Sequence, residues 1–333
     1  MTMKPNYRSL LAVAVLAAQV PVAAIASPIR SVEYVRTVPS VREFTKPHSV
    51  FVKLFNFVVG EPDRTELTRP YAVTHDSVGR LLVADPGQQG VHIYDFEKQK
   101  YQFLRGPKKN ELQSPMDVVC DARDNIYVSD SVRRKIYIFD QKGKFVRTIG
   151  GTAPGTELQR PTGMAMDRAA RRLYVADTLR HQILIFGLDG SLIRTIGQRG
   201  PGAGEFNFPT SLTLAGGRMY VVDAMNFRIQ SFTGDGQFIG SFGQIGNQSG
   251  TLNRPKGIAA DTEGNLYVVD ALFETVQVFS PEGRLLYYFG ATGTGPGKFQ
   301  LPAGIEIDSR NVIYVADSMN RRVQVFRYRS QAE

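Results

Sequence analysis

Aspartate recurs at a nearly fixed interval in the 333-residue chain, and a regular series of carboxylates could form a ring of ligands. Successive members lie 45, 47, 46, 47 and 47 residues apart, and each ends a short apolar segment. Function usually resides in individual sites placed on a fold, so a carboxylate repeated in every unit is better explained by a local turn. Pairing with a loop arginine such as Arg228 or Arg322 is an equivalent explanation. We therefore interpret the series as structural. Its members are Asp85, Asp130, Asp177, Asp223, Asp270 and Asp317.

Basic and aromatic side chains break the regularity of the loops that follow these aspartates. Arginine and aromatic residues are enriched at binding interfaces, so their uneven placement predicts a surface for a protein or an anionic partner. Lys256 and Tyr71 directly follow a recurring proline, and we expect them at the mouth of a central channel. The alternative is that the repeated aspartates neutralise most of the cations. The loop residues of the predicted surface are Arg133, Arg134, Arg180, His181, Arg228, Phe273 and Arg321.

Two acidic residues, Asp117 and Glu306, stand at small or polar positions in the segments that follow the recurring proline. We expect these positions to face the channel, and hard divalent cations prefer oxygen ligands, so the two carboxylates are candidates for a channel-bound cation. The four histidines occupy non-equivalent positions in the repeats, so no three-histidine zinc site is predicted. Beyond this cation no cofactor is predicted, and no catalytic residue. The single cysteine, Cys120, excludes a disulfide-stapled scaffold.

Short strands must position these residues, because the apolar runs are rich in β-branched and aromatic residues and are bounded by Gly, Pro or Asp. The pattern of each unit predicts four strands. The first follows a proline and the second ends at the repeated aspartate. The third ends at an aromatic residue and the fourth at a glycine. The prolines are Pro70, Pro115, Pro161, Pro209, Pro255 and Pro302. The aromatic residues are Tyr94, Phe139, Phe186, Phe232, Phe279 and Phe326, and the glycines are Gly106, Gly150, Gly197, Gly243 and Gly290.

The last unit lacks its fourth strand, and a segment before the first unit has the missing pattern. Residues 54–60 read LFNFVVG and end in the same marker glycine, Gly60. A circle of four-stranded sheets protects its edges by closing on itself, so pairing of the two chain ends is the expected solution. The sequence therefore predicts an all-β, six-bladed β-propeller of four-stranded antiparallel blades, whose last blade is completed by an N-terminal strand at 54–60.

The repeat motifs resemble the NHL repeat family. Residues 319–326 read MNRRVQVF and residues 225–232 read MNFRIQSF, both close to that family's Asn-x-Arg-[Ile/Val]-Gln-x-Phe core. Residues 200–206 fit the family's linker between blades, whereas the first repeat departs at residues 86–90. The resemblance covers residues 69–328 and implies a six-bladed propeller of the exported bacterial type.

The N-terminal 26 residues predict a secretory signal peptide, because Lys4 and Arg8 precede a short apolar run and Ala24-Ile25-Ala26 supplies a cleavage pattern. We expect a lead segment at 27–48, a single propeller at 49–328 and a tail at 329–333. The repeats are expected at about 69–106, 114–151, 160–200, 208–246, 254–293 and 301–328. The mature protein is expected in the periplasm or outside the cell, without a membrane span.

These patterns together predict an exported, non-enzymatic binding or scaffold protein. Its loops would bind an envelope or secreted protein, or an anionic ligand, which agrees with a formal net charge of +9 for the whole chain. The first alternative is a metal-dependent lyase or hydrolase at the channel mouth, since relatives of the resembled family include a peptide-amidating lyase. The second alternative is nucleic-acid binding through a basic face, but the predicted export of the protein counts against it.

Overall fold

The computed structural model describes residues 31–38, 66–151 and 155–329. Within these ranges 24 strands form six four-stranded antiparallel sheets. The innermost strands contact one another in a closed circular order, so the sheets are the blades of a ring around a central channel. The predicted six-bladed β-propeller is confirmed.

The blades follow the chain, with the innermost strand first in each. Blade 1 contains β2 (Ala72–His75), β3 (Leu81–Asp85), β4 (Gly90–Asp95) and β5 (Lys100–Leu104). Blade 2 contains β6 (Pro115–Cys120), β7 (Ile126–Asp130), β8 (Lys135–Phe139) and β9 (Phe145–Ile149). Blade 3 contains β10 (Pro161–Asp167), β11 (Arg172–Asp177), β12 (Gln182–Gly187) and β13 (Leu192–Ile196). Blade 4 contains β14 (Pro209–Ala215), β15 (Arg218–Asp223), β16 (Arg228–Thr233) and β17 (Phe238–Phe242).

Blade 5 contains β18 (Pro255–Ala260), β19 (Leu266–Asp270), β20 (Thr275–Phe279) and β21 (Leu285–Phe289). Blade 6 contains β22 (Ile305–Ile307), β23 (Val312–Asp317), β24 (Arg322–Arg329) and, as its outer strand, β1 (Ser31–Thr37). Single 3₁₀ turns at Thr178–Arg180 and Ala224–Asn226 lie between the second and third strands of blades 3 and 4.

Six apolar clusters stabilise the ring, one at each junction between neighbouring blades. At the junction of blades 1 and 2, for example, Leu82 belongs to the same cluster as Val118. At the junction that closes the ring, Val73 of blade 1 belongs to the same cluster as Val323 of blade 6. The second strand of a blade is buried on both faces, which explains why nearly all of its residues before the aspartate are apolar or aromatic; Ser129 of β7 is an exception.

The outer strand of blade 6 comes from the N-terminal part of the chain, as expected, but from a different segment. β1 pairs antiparallel with β24, with Tyr34 opposite Phe326 and Val32 opposite Tyr328. The expected strand at residues 54–60 lies outside the described residues, and Ser31–Thr37, within the expected lead segment, takes its place. The sequence pattern marks Gly60 as the end of an outer strand because, in blades 1 to 5, a glycine at positive φ follows the outer strand, where the chain turns into the next blade.

The inner strands lie edge to edge around a channel of about 660 Å³. The residues at the second position after the proline line this channel, among them Asp117, Gly163 and Gly257, and the two glycines also lie directly against the neighbouring inner strand. A Cβ added at Gly163 would lie 2.5 Å from Cα of Ser211, and one at Gly257 would lie 2.5 Å from the carbonyl oxygen of Ala303. Only glycine permits an approach this close between backbones.

The predicted signal peptide at residues 1–26 lies outside the described residues, as do residues 330–333 of the predicted tail. Within the part of the chain that the structure describes, no helix is long and apolar enough to cross a membrane.

Candidate functional site

The loops between second and third strands and the linkers between blades share one end of the propeller, which we call the top face. The repeated aspartates join these two sets of segments. All six are fully buried. Asp85, for example, accepts hydrogen bonds from the backbone N–H groups of Thr68 (2.7 Å) and Arg69 (3.0 Å) in the preceding linker. Hydrogen bonds from N–H groups to a carboxylate are stronger than neutral ones, so each aspartate fixes a linker to its blade.

Two residues of the predicted binding surface take part in this scaffold. Arg228 donates from Nε to Oδ2 of Asp223 at 2.8 Å, and its Nη2 donates to two linker carbonyls. His181 is buried, and its Nδ1 accepts the backbone N–H of Phe208 at 3.1 Å. Burial, together with the nearby Arg199 guanidinium, lowers the pKa of His181. Both side chains therefore hold the linkers in place, and neither is exposed for a partner.

The other predicted loop residues stand at the surface of the top face. Arg134 and Arg321 are exposed at corresponding positions of blades 2 and 6, each with a left-handed backbone (φ 56° and 54°). Arg133 and Arg180 are half-buried and donate to linker carbonyls, at 3.0 and 2.5 Å. Phe273 of blade 5 is also half-buried. The structure thus leaves Arg134 and Arg321 as the most accessible of the predicted cations.

A regular set of exposed apolar side chains on the top face escaped the sequence analysis. Each lies two residues after a repeated aspartate, so the signal is present in the repeat, and each is between 44% and 59% exposed. Blade 1 has Gly87 at this position, where a Cβ would lie 2.9 Å from Cβ of Arg69. We call the set the apolar ring, although it is open at blade 1. Its members are Val132, Leu179, Met225, Leu272 and Met319.

Lys256 and Tyr71, which the sequence predicts at the channel mouth, contact each other there. The Nζ atom of Lys256 lies 5.2 Å from the centroid of the Tyr71 ring, within the range of a cation–π interaction. Burial lowers the pKa of Lys256 to about 8, with further lowering by repulsion from Arg254 and Arg69. Burial raises the pKa of Tyr71. Both residues line the channel.

Three exposed arginines surround this pair, and none of them is among the site residues predicted from the sequence. Arg69, Arg160 and Arg254 directly precede the recurring proline in blades 1, 3 and 5, and we call them the mouth arginines. All three are close enough to Tyr71 to influence its ionisation. Among the described residues none of them forms an ion pair. Their alternation between blades is visible in the sequence once the residue before each proline is compared.

The two acids proposed for a cation each bind a neighbouring blade. Asp117 of blade 2 accepts the backbone N–H of Met164 in blade 3 at 2.6 Å, and Glu306 of blade 6 accepts that of His75 in blade 1 at 3.1 Å. Burial raises the pKa of Asp117 to about 7. Oε2 of Glu306 lies 3.7 Å from Nδ1 of His75. The described residues contain no cluster of three or more His, Cys, Asp or Glu arranged for a metal ion, and the cation stays a prediction.

The fold and the top face define a six-bladed propeller that carries exposed apolar and cationic side chains around one end of a central channel. A family model described as a 6-bladed beta-propeller, DUF5128, matches residues 74–169, 164–244 and 252–331. The chain belongs to this family. Membership of the NHL repeat family stays a prediction.

One curated relative and many solved structures are similar to the chain. "Protein brain tumor" of Drosophila melanogaster is 32% identical over 110 residues, which is 32% of this chain and only 10% of that protein. Virginiamycin B lyase from Staphylococcus aureus is 16% identical, with a TM-score of 0.57 over 79% of this chain and 97% of that one. An auxiliary nutrient binding protein from Bacteroides thetaiotaomicron is 15% identical, with a TM-score of 0.61 over 79% of this chain and 70% of that one.

At these identities the solved structures show a shared fold alone. The same propeller serves a lyase in one neighbour and a binding protein in another. The function of this chain must therefore be argued from its own top face and channel.

Proposed function

We propose that this protein is a non-enzymatic binding platform whose top face docks a partner protein. The observation that carries the proposal is the apolar ring, in which five of the six blades expose a large apolar side chain at the same loop position. Large apolar patches with polar surroundings on a soluble protein mark interaction sites. Five separate blades converge on one face here, so the exposed groups can contact a single partner together.

The charges around the ring define the chemistry of the partner. Arg134 and Arg321 are exposed beside ring positions Val132 and Met319, and the top-face aspartates are buried in backbone contacts. A matching surface therefore presents apolar side chains flanked by Asp or Glu. Complementary charges of this kind chiefly increase the association rate and the specificity, whereas the apolar contacts supply affinity.

The proposal includes export of the protein, with the partner in the cell envelope or secreted. The N-terminal pattern of basic residues, apolar run and small-residue cleavage site supports this part. N-terminal sequencing of protein recovered outside the cytoplasm tests it, and the expected first residue is Ser27. Retention of residues 1–26 in cytosolic protein would contradict it.

Site-specific photo-crosslinking in the native host tests the docking face. A photoreactive residue at Leu272 or Met319 should yield one common crosslinked protein, because both side chains lie in the apolar ring. The same residue at Ile193 or Leu286, which are exposed on outer strands, is the matched control. Crosslinking of the same protein from both pairs, or from neither, would contradict docking by the top face.

The partner identified in this way is then purified and titrated against variants. Replacing Met225, Leu272 and Met319 together by Ser should weaken binding by at least about 10-fold, since each loses roughly 1 kcal/mol or more of apolar contact. A triple variant with Ile193, Ile239 and Leu286 replaced by Ser controls for the loss of exposed apolar surface as such. Binding that falls equally in both variants would contradict the proposal.

A further inference from the structure

We propose that the channel mouth is a binding site for a small, multiply charged oxyanion, a carboxylate or phosphate compound held between the mouth arginines and Lys256. This site is separate from the apolar ring and does not depend on the docking function. It would make the protein a receptor for a small ligand as well as a platform for a partner.

The backbone positions the three guanidinium groups around the mouth. Arg69, Arg160 and Arg254 donate their backbone N–H groups to the buried aspartates Asp85, Asp177 and Asp270, at 3.0, 2.7 and 3.1 Å. Each arginine also stands directly before the proline that leads into an inner strand. The main chain of these residues is therefore fixed, while the side chains remain exposed. Cations attached to fixed points around an opening form a preorganised site for negative charge.

The residues at the same position in the even-numbered blades are uncharged. They are Ser114, Phe208 and Leu301, and their backbone N–H groups are also bound, to Asp130, His181 and Glu274. The contact between this backbone N–H group and the repeated aspartate therefore needs no arginine, because Ser114 makes it with Asp130. The arginines at alternate blades must have another reason, and their threefold spacing suits an anion with two or three charged groups.

Lys256 adds a fourth positive charge below the arginines without a counterion. No carboxylate within the described residues pairs with it, and its closest charged neighbours, Arg254 and Arg69, repel it. A partly buried, unpaired ammonium group costs free energy unless something compensates it. The Tyr71 ring at 5.2 Å compensates only part of this cost, whereas a bound oxyanion would pair with the ammonium directly.

The channel limits the ligand in size and depth. Its volume of about 660 Å³ falls in the range of small-molecule sites, so a free metabolite-sized anion fits. Asp117 lines the channel and raises the pKa of Tyr71 by its charge, which places a carboxylate within range of the mouth. In its ionised form this acid repels an anion that penetrates further. The negative groups of the ligand must therefore stay at the mouth, with any neutral part below.

Calorimetric titration of the purified protein with citrate, pyrophosphate and inorganic phosphate tests the proposal. At neutral pH and low salt, citrate or pyrophosphate should bind with a Kd below about 1 mM, and inorganic phosphate more weakly because it reaches fewer cations. Binding of citrate alone would assign a carboxylate ligand, and binding of pyrophosphate alone a phosphate ligand. The absence of binding for all three probes would overturn the proposal.

A triple variant with Gln at all three mouth arginines should lose about 100-fold in affinity, because three hydrogen bonds to a charged group are removed. The control replaces Arg123, Arg171 and Arg284 by Gln, since these are exposed arginines in turns at the opposite end of the propeller and none of them lines the channel. An equal loss in both variants would show a general charge effect and overturn the site. Variants of the apolar ring should bind the anions normally, so failure of the docking proposal is distinguishable from failure of this one.

Discussion

The two ends of the propeller use the same residue types for different purposes. At the bottom end, where the turns join first to second and third to fourth strands, arginines pair with carboxylates: Arg310 with Asp308 at 3.1 Å and Arg172 with Asp235 at 2.8 Å. At the top face the repeated aspartates are buried and bind backbone N–H groups, and two of them also pair with Arg228 and Arg322 at 2.8 Å. The mouth arginines have no ion pair within the described residues. The arginine–carboxylate pairs at the bottom therefore complete turns, while the mouth arginines at the top are available to a ligand.

The largest expected difference between the ends concerns stability. Asp317→Ala at the top removes the partner of Arg322 Nε (2.8 Å) and of the Gln300 N–H, and should cost about 3–5 kcal/mol because buried groups lose their partners. Asp308→Ala at the bottom breaks an exposed turn and should cost about 0.5–1.5 kcal/mol. Chemical denaturation measures both. If the two substitutions lowered the free energy of unfolding equally, the buried top-face aspartate would be no more important for stability than the aspartate of a bottom turn.

The channel acid Asp117 should make stability depend on pH. Burial raises its pKa to about 7, above the ordinary value of 3.8 for an Asp. The folded state therefore favours the protonated form, so this contribution is complete below about pH 4 and is lost as pH rises towards 7. Relative to Asp117→Asn, the unchanged protein should lose several degrees of Tm between these limits and no more above them. Thermal scans across this range would contradict the argument if the difference in Tm were constant.

Anion binding at the channel mouth should depend on pH, unlike the arginine–carboxylate pairs at the bottom end. The pKa of Lys256 is lowered to about 8, so its positive charge is lost as pH rises through that value, while the arginines stay charged. Affinity for citrate or pyrophosphate should fall about 10-fold between roughly pH 7 and 9.5. Lys256→Arg should abolish this fall and keep the affinity at neutral pH. Calorimetry at several pH values provides the measurement, and an identical pH profile in both proteins would contradict the role of Lys256.

The smallest effect is expected from the apolar ring in the isolated protein. Replacing Met225, Leu272 and Met319 by Ser removes side chains that are more than half exposed, so the free energy of unfolding should change by no more than about 0.5 kcal/mol per site. Denaturant unfolding of the triple variant tests this expectation. A larger loss would mean that the ring supports the fold, and its interpretation as a docking surface would weaken.

Only part of the candidate site was predicted from the sequence, because neither the apolar ring nor the mouth arginines were among the predicted residues. The placement of Lys256 and Tyr71 at the channel follows from their position after the recurring proline, whereas their mutual contact, with Nζ 5.2 Å from the ring centroid, could not be predicted. The engagement of Arg228 and His181 in the scaffold could not be read from their loop positions. Whether a loop cation is exposed depends on carbonyls and N–H groups contributed by another segment, as His181 shows with Phe208.

The sequence by itself determined the number of blades, the strand order within them and the aspartate that ends each second strand, because repeated local patterns of apolar runs, glycine and proline specify local structure. The tertiary structure alone decided that Ser31–Thr37 completes blade 6 and that the glycines of the inner strands touch their neighbours. It also decided which charged side chains are buried and which are exposed to solvent. These outcomes depend on contacts between segments far apart in the chain, and no local pattern records such contacts.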